Sequence, residues 1–463
     1  MKRPFLFTVL ILLSGCAAYH PRPVVPAALM NAFEARTLAS PDLQGYIAAH
    51  CGNGSACAPG VWDLKRLTLA AFYFSPLLDI ARARYGSSQA AIQSAGQRPN
   101  PALKFPLGYT ANAKSGESPY TFGLGLDIPI ETAGKRGYRV AQARQISNAA
   151  RAEIGNVAWQ VRSRLRSHML GLYAATRRAQ ILEQQIAAQQ QIVTMLDKRL
   201  AVGAASAPEA NQARIALDRI RVNLAKTQRQ IQHERAKIAT VIGLPVDALA
   251  NIRIGFETFE RIYPDIPAAD VRRQAILNRA DVVAALAKYE ASQATLQLEI
   301  ARQYPDMHIG PGYIFDAGAE KFVLLVSNIV LPLFNQNKGP IAEAEAGRTE
   351  AAARVNAVQT HAIEATARAV QDYRADRGNL LIAESLLSAQ KRQLHDVQKG
   401  FAAGETDRLT RTLAQQEFYI QALIRQDALL QVQRSIGQLE DAMQRPLSAT
   451  DFPAVPETEE IKR

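Results

Sequence analysis

The 463-residue sequence predicts a mainly α fold carrying β-hairpins, built from one unit used twice. Three observations predict it. The second half repeats the first at an offset of about 201 residues: the apolar heptad Ala179, Ile186, Val193, Leu200 falls on Leu380, Leu387, Leu394, Phe401. Gly203 falls on Gly404 and Ala213 on Ala414; Ala141-Gln142-Ala143 falls on Ala342-Glu343-Ala344, and Pro129 pairs with Pro332 near the same offset. Each copy also changes its hydrophobic period from two to that of a helix, and each then runs on for more than sixty residues without a proline. Two long helices cannot bury an apolar stripe alone, so the duplication points to a ring or bundle of such units.

Taken in order, residues 1–15 read as a signal peptide. Lys2 and Arg3 precede a short apolar run, Phe5 to Leu13, too short to cross a bilayer as a helix. Leu13-Ser14-Gly15-Cys16 follows and resembles the lipobox of bacterial lipoproteins, which implies that Cys16 becomes the acylated first residue. Ala17 rather than Asp at the next position implies the outer membrane by the same resemblance. Residues 16–61, rich in Pro, Ala and Gly, read as a lipidated tether extended over the body. Within it, Cys51 and Cys57 bracket a short loop, and in an oxidising compartment they suit a local disulfide. Two unpaired thiols, or a three-ligand metal site completed by His50, are the alternatives.

The first repeat, 62–243, opens with a helical pattern from Trp62 to Gln97 in which Pro76 marks a break or a new start. After Pro99-Asn100-Pro101, Leu103, Phe105, Leu107 and Tyr109 alternate with small or polar residues. Beyond a polar loop, Tyr120, Phe122, Leu124, Leu126, Ile128 and Ile130 alternate in the same way. The hairpin, about 101–131, has one apolar and one small or polar face, with arms as long as tilted strands across a bilayer. A helical hairpin follows, about 133–243, its first arm reaching Val202 with Leu165, Leu172, Leu182 and Leu196 extending the heptad seam. Residues 244–268 read as an irregular, Pro-rich equatorial connection.

The second repeat, 269–445, has a helix from Ala269 to Gln303, a β-hairpin about 305–333 and a helical hairpin about 338–445. Its return strand, Phe322 to Leu333, alternates poorly. Pro106 and Pro311 each remove a ladder donor inside a strand. The tail, 446–463, is acidic and Pro-containing toward its end.

Four strands cannot close a barrel, and an open edge in lipid leaves backbone groups unpaired. Closure therefore needs sister chains: two would give eight strands and a filled interior, three would give twelve and a lumen. A helix of about 65 residues spans about 100 Å, far beyond a bilayer. The net charge of +12 arises from Lys and Arg spread among Gln and Glu, without a basic block that would suit nucleic acid. The seven histidines, His20, His50, His168, His233, His308, His361 and His395, show no metal-ligand spacing, and Gly123-Leu124-Gly125 lacks the third glycine of a dinucleotide loop. An enzyme is not expected, nor a cofactor.

Several motifs then resemble the TolC-like outer-membrane efflux proteins. They are Gln97-Arg98-Pro99-Asn100-Pro101 before the first strand, Leu331-Pro332-Leu333-Phe334-Asn335-Gln336-Asn337-Lys338-Gly339 after the last, Ile242-Gly243-Leu244-Pro245, and the turns at Gly203 and Gly404. The run ending Asn337-Lys338-Gly339, followed by Ile341-Ala342-Glu343-Ala344, looks most like the heavy-metal efflux branch. The resemblance implies a homotrimer with a twelve-stranded β-barrel and a twelve-helix periplasmic α-barrel. It also implies a periplasmic adaptor (membrane fusion protein) and an inner-membrane pump, expected to be proton-driven. The chain itself is expected to be a passive exit duct. Family members often carry an acidic pair several residues beyond the second glycine; here Thr410 and Leu413 stand there, with Arg408 and Arg411 beside them and Glu405 and Asp407 nearer the turn. The expectation is an aperture less attractive to cations. The rival readings are a periplasmic adaptor-like lipoprotein, which would have a single hairpin, and a coiled-coil scaffold without a pore.

Overall fold

A computed structural model describes residues 19–51, 60–264 and 271–448, apart from 274, 276, 278 and 328. The signal peptide, Cys16, Cys57 and the distal tail lie outside the described residues.

The chain is dominated by four long helices in two antiparallel hairpins. The first hairpin is α5 (Lys135–Ala201) and α6 (Ala207–Ile242); the second is α8 (Lys338–Ala402) and α9 (Arg408–Met443). The returns obey the repeat offset and the same local chemistry. Gly203 and Gly404 adopt left-handed φ values of 71° and 79°, where a side chain would strain the backbone. Ser206 and Asp407 then cap the return helices by accepting from the backbone N–H of Glu209 and Thr410. Both return helices end in a left-handed residue, Gly243 and Gln444. Ala133, Gly134 and Asn337, also left-handed, set the start of the long outgoing helices, so α5 begins at Lys135 rather than at residue 133.

Shorter elements precede each strand pair. β1 (Val61–Trp62), α3 (Leu64–Phe74) and α4 (Pro76–Gly96) occupy the first helical stretch, with the break at Ser75 where Pro76 cannot continue the preceding helix. In the second copy the helix breaks again, at Arg279, before α7 (Ala280–Ala301); the sequence reads straight through this point because no Pro marks it. Arg279 is held there by Asp281 and by the carbonyl of Ala442.

The segment expected to be an extended tether instead forms α1 (Pro26–Glu34) and α2 (Pro41–His50). Leu38, Leu43, Tyr46 and Ile47 enter the central core with Leu67, Phe72, Leu165 and Ile242. Arg36 fixes this segment by donating to the carbonyl of Gly243 at 2.9 Å. The equatorial connection is likewise ordered. β5 (Arg253–Ile254) pairs in parallel with β1, flanked by 3-10 turns at Val246–Leu249 and Glu257–Glu260, and Phe259 is fully buried against Tyr173 and Phe256. Short apolar contributions from distant segments do not produce a period, which is why the sequence shows a loop here.

The strands form one antiparallel sheet. Its order is β2 (Ala102–Lys104) and β3 (Leu107–Tyr109) on β4 (Tyr120–Ile130), then β6 (Met307–Asp316), then β7 (Ala319–Ser327). The first arm is interrupted at Phe105-Pro106, where Pro106 lacks a ladder donor but its carbonyl still accepts from Gly123. The return arm of the second hairpin starts at Ala319 and ends at Ser327, not at 322 and 333. Ala317 and Gly318, both at positive φ, make a two-residue turn at 317–318. No described helix is long and apolar enough to cross a membrane.

Candidate functional site

Three regions carry the functional geometry: the sheet, its junction with the helices, and the far turns. Register assigns the sheet two unlike faces. Leu103 lies opposite Leu126, Leu107 opposite Phe122, and Leu124 opposite Tyr313, which in turn lies opposite Phe322. These residues line one side, and the large ones are uncovered: Leu107 is 82% exposed, Phe322 84% and Leu324 69%. So broad an apolar surface is not left to water.

The opposite face is small and polar. Gly123, Gly125, Gly310 and Gly312 stand on it, and two of them are sterically required. A Cβ on Gly310 would sit 1.7 Å from the Leu126 carbonyl oxygen, and one on Gly123 would sit 2.9 Å from that of Tyr313. Asp127 accepts from Lys104 at 2.8 Å and lies 3.1 Å from Nδ1 of His308. Thr121 donates to Asp316, which also pairs with Lys321. The sheet is open, with β2 and β3 on one edge and β7 on the other.

At the junction the two repeats are tied to each other. The Thr132 N–H donates to Asp306 at 2.9 Å, and Lys135 donates to Asp306 and to the Tyr304 carbonyl, both at 2.7 Å. Asn337 donates to the carbonyl and carboxylate of Glu299. Strand ends and helix starts are therefore tied together by hydrogen bonds at this joint.

Where the C-terminal end of α9 packs against the first half of α5 lies a buried polar knot. Arg162, 1% exposed, donates to Glu440 at 3.0 Å, and Arg166 approaches the same carboxylate at 3.3 Å while donating to the Gln433 carbonyl. Trp159 and Ser163 donate to Asp441. This knot joins α5 to α9, and so the first hairpin to the second. Burial pushes Asp441 above the usual carboxylate range, against the pull of those hydrogen bonds.

At the far end, Gly203 and Gly404 close the two turns, and Asp407 links them. Its carboxylate accepts from the Thr410 N–H at 2.8 Å, the Thr410 hydroxyl at 2.6 Å and Arg199 at 2.5 Å. The Thr410 bonds, with Arg199 beside them, hold its pKa down at about 2. Arg411 lies over the Phe401 ring, 4.5 Å from its centre. Glu405 and Arg408 are exposed. Arg199 is the residue that sequence reasoning missed. The repeat places Gly400 and Ser206 where Arg199 and Asp407 stand in the other copy, so the link has no symmetric mate. The pair Lys104–Asp127 and the buried pair Gln189–Gln416, 3.0 Å apart, were also missed, because a period shows the face a residue takes and not the partner it meets.

Cys51 is buried and disulfide-bonded; Cys57 lies outside the described residues, as does Cys16. His50 bonds through Nδ1 to the Tyr46 carbonyl and packs on the Tyr46 ring. Among the described residues no group of three or more His, Cys, Asp or Glu side chains could hold a metal ion.

Residues 73–244 match the family described as outer membrane efflux protein. The chain is 24% identical over 268 residues to the cobalt-zinc-cadmium resistance protein CzcC of Cupriavidus metallidurans, covering 58% of this chain and 62% of CzcC. It is 23% identical to the pyoverdine export outer membrane protein OpmQ of Pseudomonas aeruginosa, covering 73% and 74% of the two chains. The fold resembles the outer membrane protein VceC of Vibrio cholerae with a TM-score of 0.67, at 21% identity, over 83% of this chain and 97% of VceC. CusC gives a TM-score of 0.66 at 16% identity, covering 92% and 99%. The shared fold is the mainly α architecture of duplicated strand and helix hairpins that the sequence predicts.

Proposed function

We propose that the protein is the outer-membrane channel of a tripartite efflux system: a passive exit duct. The observation that carries this reading is the open sheet whose apolar face is exposed and whose other face is glycine-rich and polar, with helices of about 100 Å leaving its end. The apolar face suits lipid and the polar face suits a water-filled lumen. The unpaired edges require sister strands, and three copies give twelve strands with room for a lumen.

The helices support a shared assembly. The apolar seam of α5 is buried at Leu165, Leu172, Ala179, Leu182, Val193 and Leu196, whereas α8 leaves Leu381, Ile382 and Leu386 exposed for a neighbouring copy. Cys16 supplies the lipid anchor and palmitate-type acylation, and Cys57 is the partner of Cys51. The far turns, with Gly203, Gly404, Glu405, Asp407, Arg408 and Arg411, form the periplasmic aperture. A periplasmic adaptor docks there and couples the duct to an inner-membrane, proton-driven pump. The cargo is chosen by that pump; the similarity to CzcC favours metal ions such as cobalt, zinc and cadmium, and the similarity to OpmQ favours a compound of the pyoverdine kind.

Membrane fractionation with planar-bilayer recording tests the reading. The expected result is a lipid-anchored trimer in the outer membrane that conducts. A water-soluble monomer, or a membrane-bound chain without conductance, would support the scaffold or adaptor-like alternative instead.

A further inference from the structure

A cleft of about 770 Å³ opens where the sheet gives way to the helices. Ile128, Ile130 and Pro101 line its apolar part. Both isoleucines belong to the outward strand face, so the cleft is continuous with the surface assigned to lipid. Arg98 and Arg136 line its polar part; both are exposed, and neither guanidinium has a hydrogen-bond or ion-pair partner among the described residues. The cleft's acid, Glu131, is engaged through both oxygens by Arg139. Its lysine, Lys135, is turned to Asp306. What remains is two uncommitted guanidiniums beside an apolar wall, at the level where a membrane strand ends.

We infer that this cleft binds a glycerophospholipid of the periplasmic leaflet, its phosphate held by Arg98 and Arg136 and the upper part of an acyl chain laid on Ile128 and Ile130. Guanidinium forks match phosphate oxygens, and charge-assisted bonds of this kind are the strong ones. The volume falls within the range of small-molecule sites. Basic side chains facing a headgroup layer are attracted to its negative charge. The lipid would brace the joint held by Thr132, Lys135 and Asp306, so the leaflet would add to the rigidity of the duct at its membrane exit.

The inference rests on the reading that the strand face lies in lipid. Its test is native mass spectrometry of the intact assembly in detergent, titrated with dioleoyl-phosphatidylglycerol or with dioleoylglycerol, which has the same chains without the phosphate. The wild type is expected to retain phosphatidylglycerol and to shed dioleoylglycerol. R98Q/R136Q is expected to weaken phosphatidylglycerol retention by roughly tenfold, with R98K/R136K intermediate. Equal retention of the two lipids by the wild type overturns the inference without any variant. So does unchanged retention in R98Q/R136Q, or a cleft closed to both lipids by the sister chain. An assembly that inserts and conducts while giving one of these results removes the site and leaves the channel reading standing. A wild-type chain that never enters a bilayer removes both.

Discussion

Asp407 shows how one residue can serve as cap, link and charge together. Its carboxylate is already committed to Thr410 and Arg199, so it does not act as a bare negative charge at the proposed aperture. D407N is expected to leave the reversal potential in asymmetric salt nearly unchanged while raising the open probability, since it weakens the link between α5 and α9. A strong cation preference that disappears in D407N contradicts this. The pH dependence follows from the depressed pKa. The stability contributed by the ionised group is fully present above the usual carboxylate pKa, near 3.8, and is lost only as pH falls through about 2. Open probability should therefore be insensitive to this carboxylate between pH 7 and pH 5, as single-channel recording at the two values would show. Glu440 is the contrasting case, because both its arginine partners are buried. E440Q removes the carboxylate shared by two buried arginines and is expected to cost about 3–5 kcal/mol, measured by chemical denaturation. Replacing Arg162, Arg166 and Glu440 together by apolar residues should recover much of that loss.

At the scale of elements, the strands depend on face and the helices on their ends. The period-two pattern made the apolar face of β4 legible in the sequence, and Leu124 stands on it. L124R is expected to cost about 2–4 kcal/mol near the bilayer midplane and to lower the yield of assembled protein in outer-membrane fractions. K321Q, on the opposite face, should assemble normally. The pattern failed where a strand was set by a turn rather than by alternation: Ala317-Gly318 fixes the start of β7, and its small residues gave only a weak signal. The helix end at Gly243 was legible as a motif, yet its reason is spatial. At φ 89° a Cβ there would lie 2.7 Å from the Phe74 carbonyl oxygen, which is where α3 turns into α4. G243V should destabilise the fold by about 2 kcal/mol or more, from left-handed strain and the contact combined, visible as a lowered thermal midpoint.

For the whole molecule, the sheet is the element that cannot stand alone. Under the channel reading its two open edges demand the same solution in every copy, so the interface would repeat head to tail and close as a ring. Single cysteines on β2 and on β7 in the same chain are expected to form disulfides between chains, producing dimer and trimer bands on a non-reducing gel. Bands confined to the monomer would mean that the edges meet within one chain, and the shared-barrel reading would fail.

The sequence by itself determined what is periodic and what is repeated: the duplication, the long helices with their glycine turns, and the two-faced strands. Each of these is written in neighbouring residues, because a helix face or a strand face recurs every few positions. Only the tertiary structure decided which remote groups meet. It brought residues 38–47 into the core, placed Arg199 on Asp407, drew two buried arginines around Glu440, and tied the repeats through Asp306 and Lys135. These contacts join positions up to 278 residues apart, and charge or packing complementarity across such a distance leaves no local period to read.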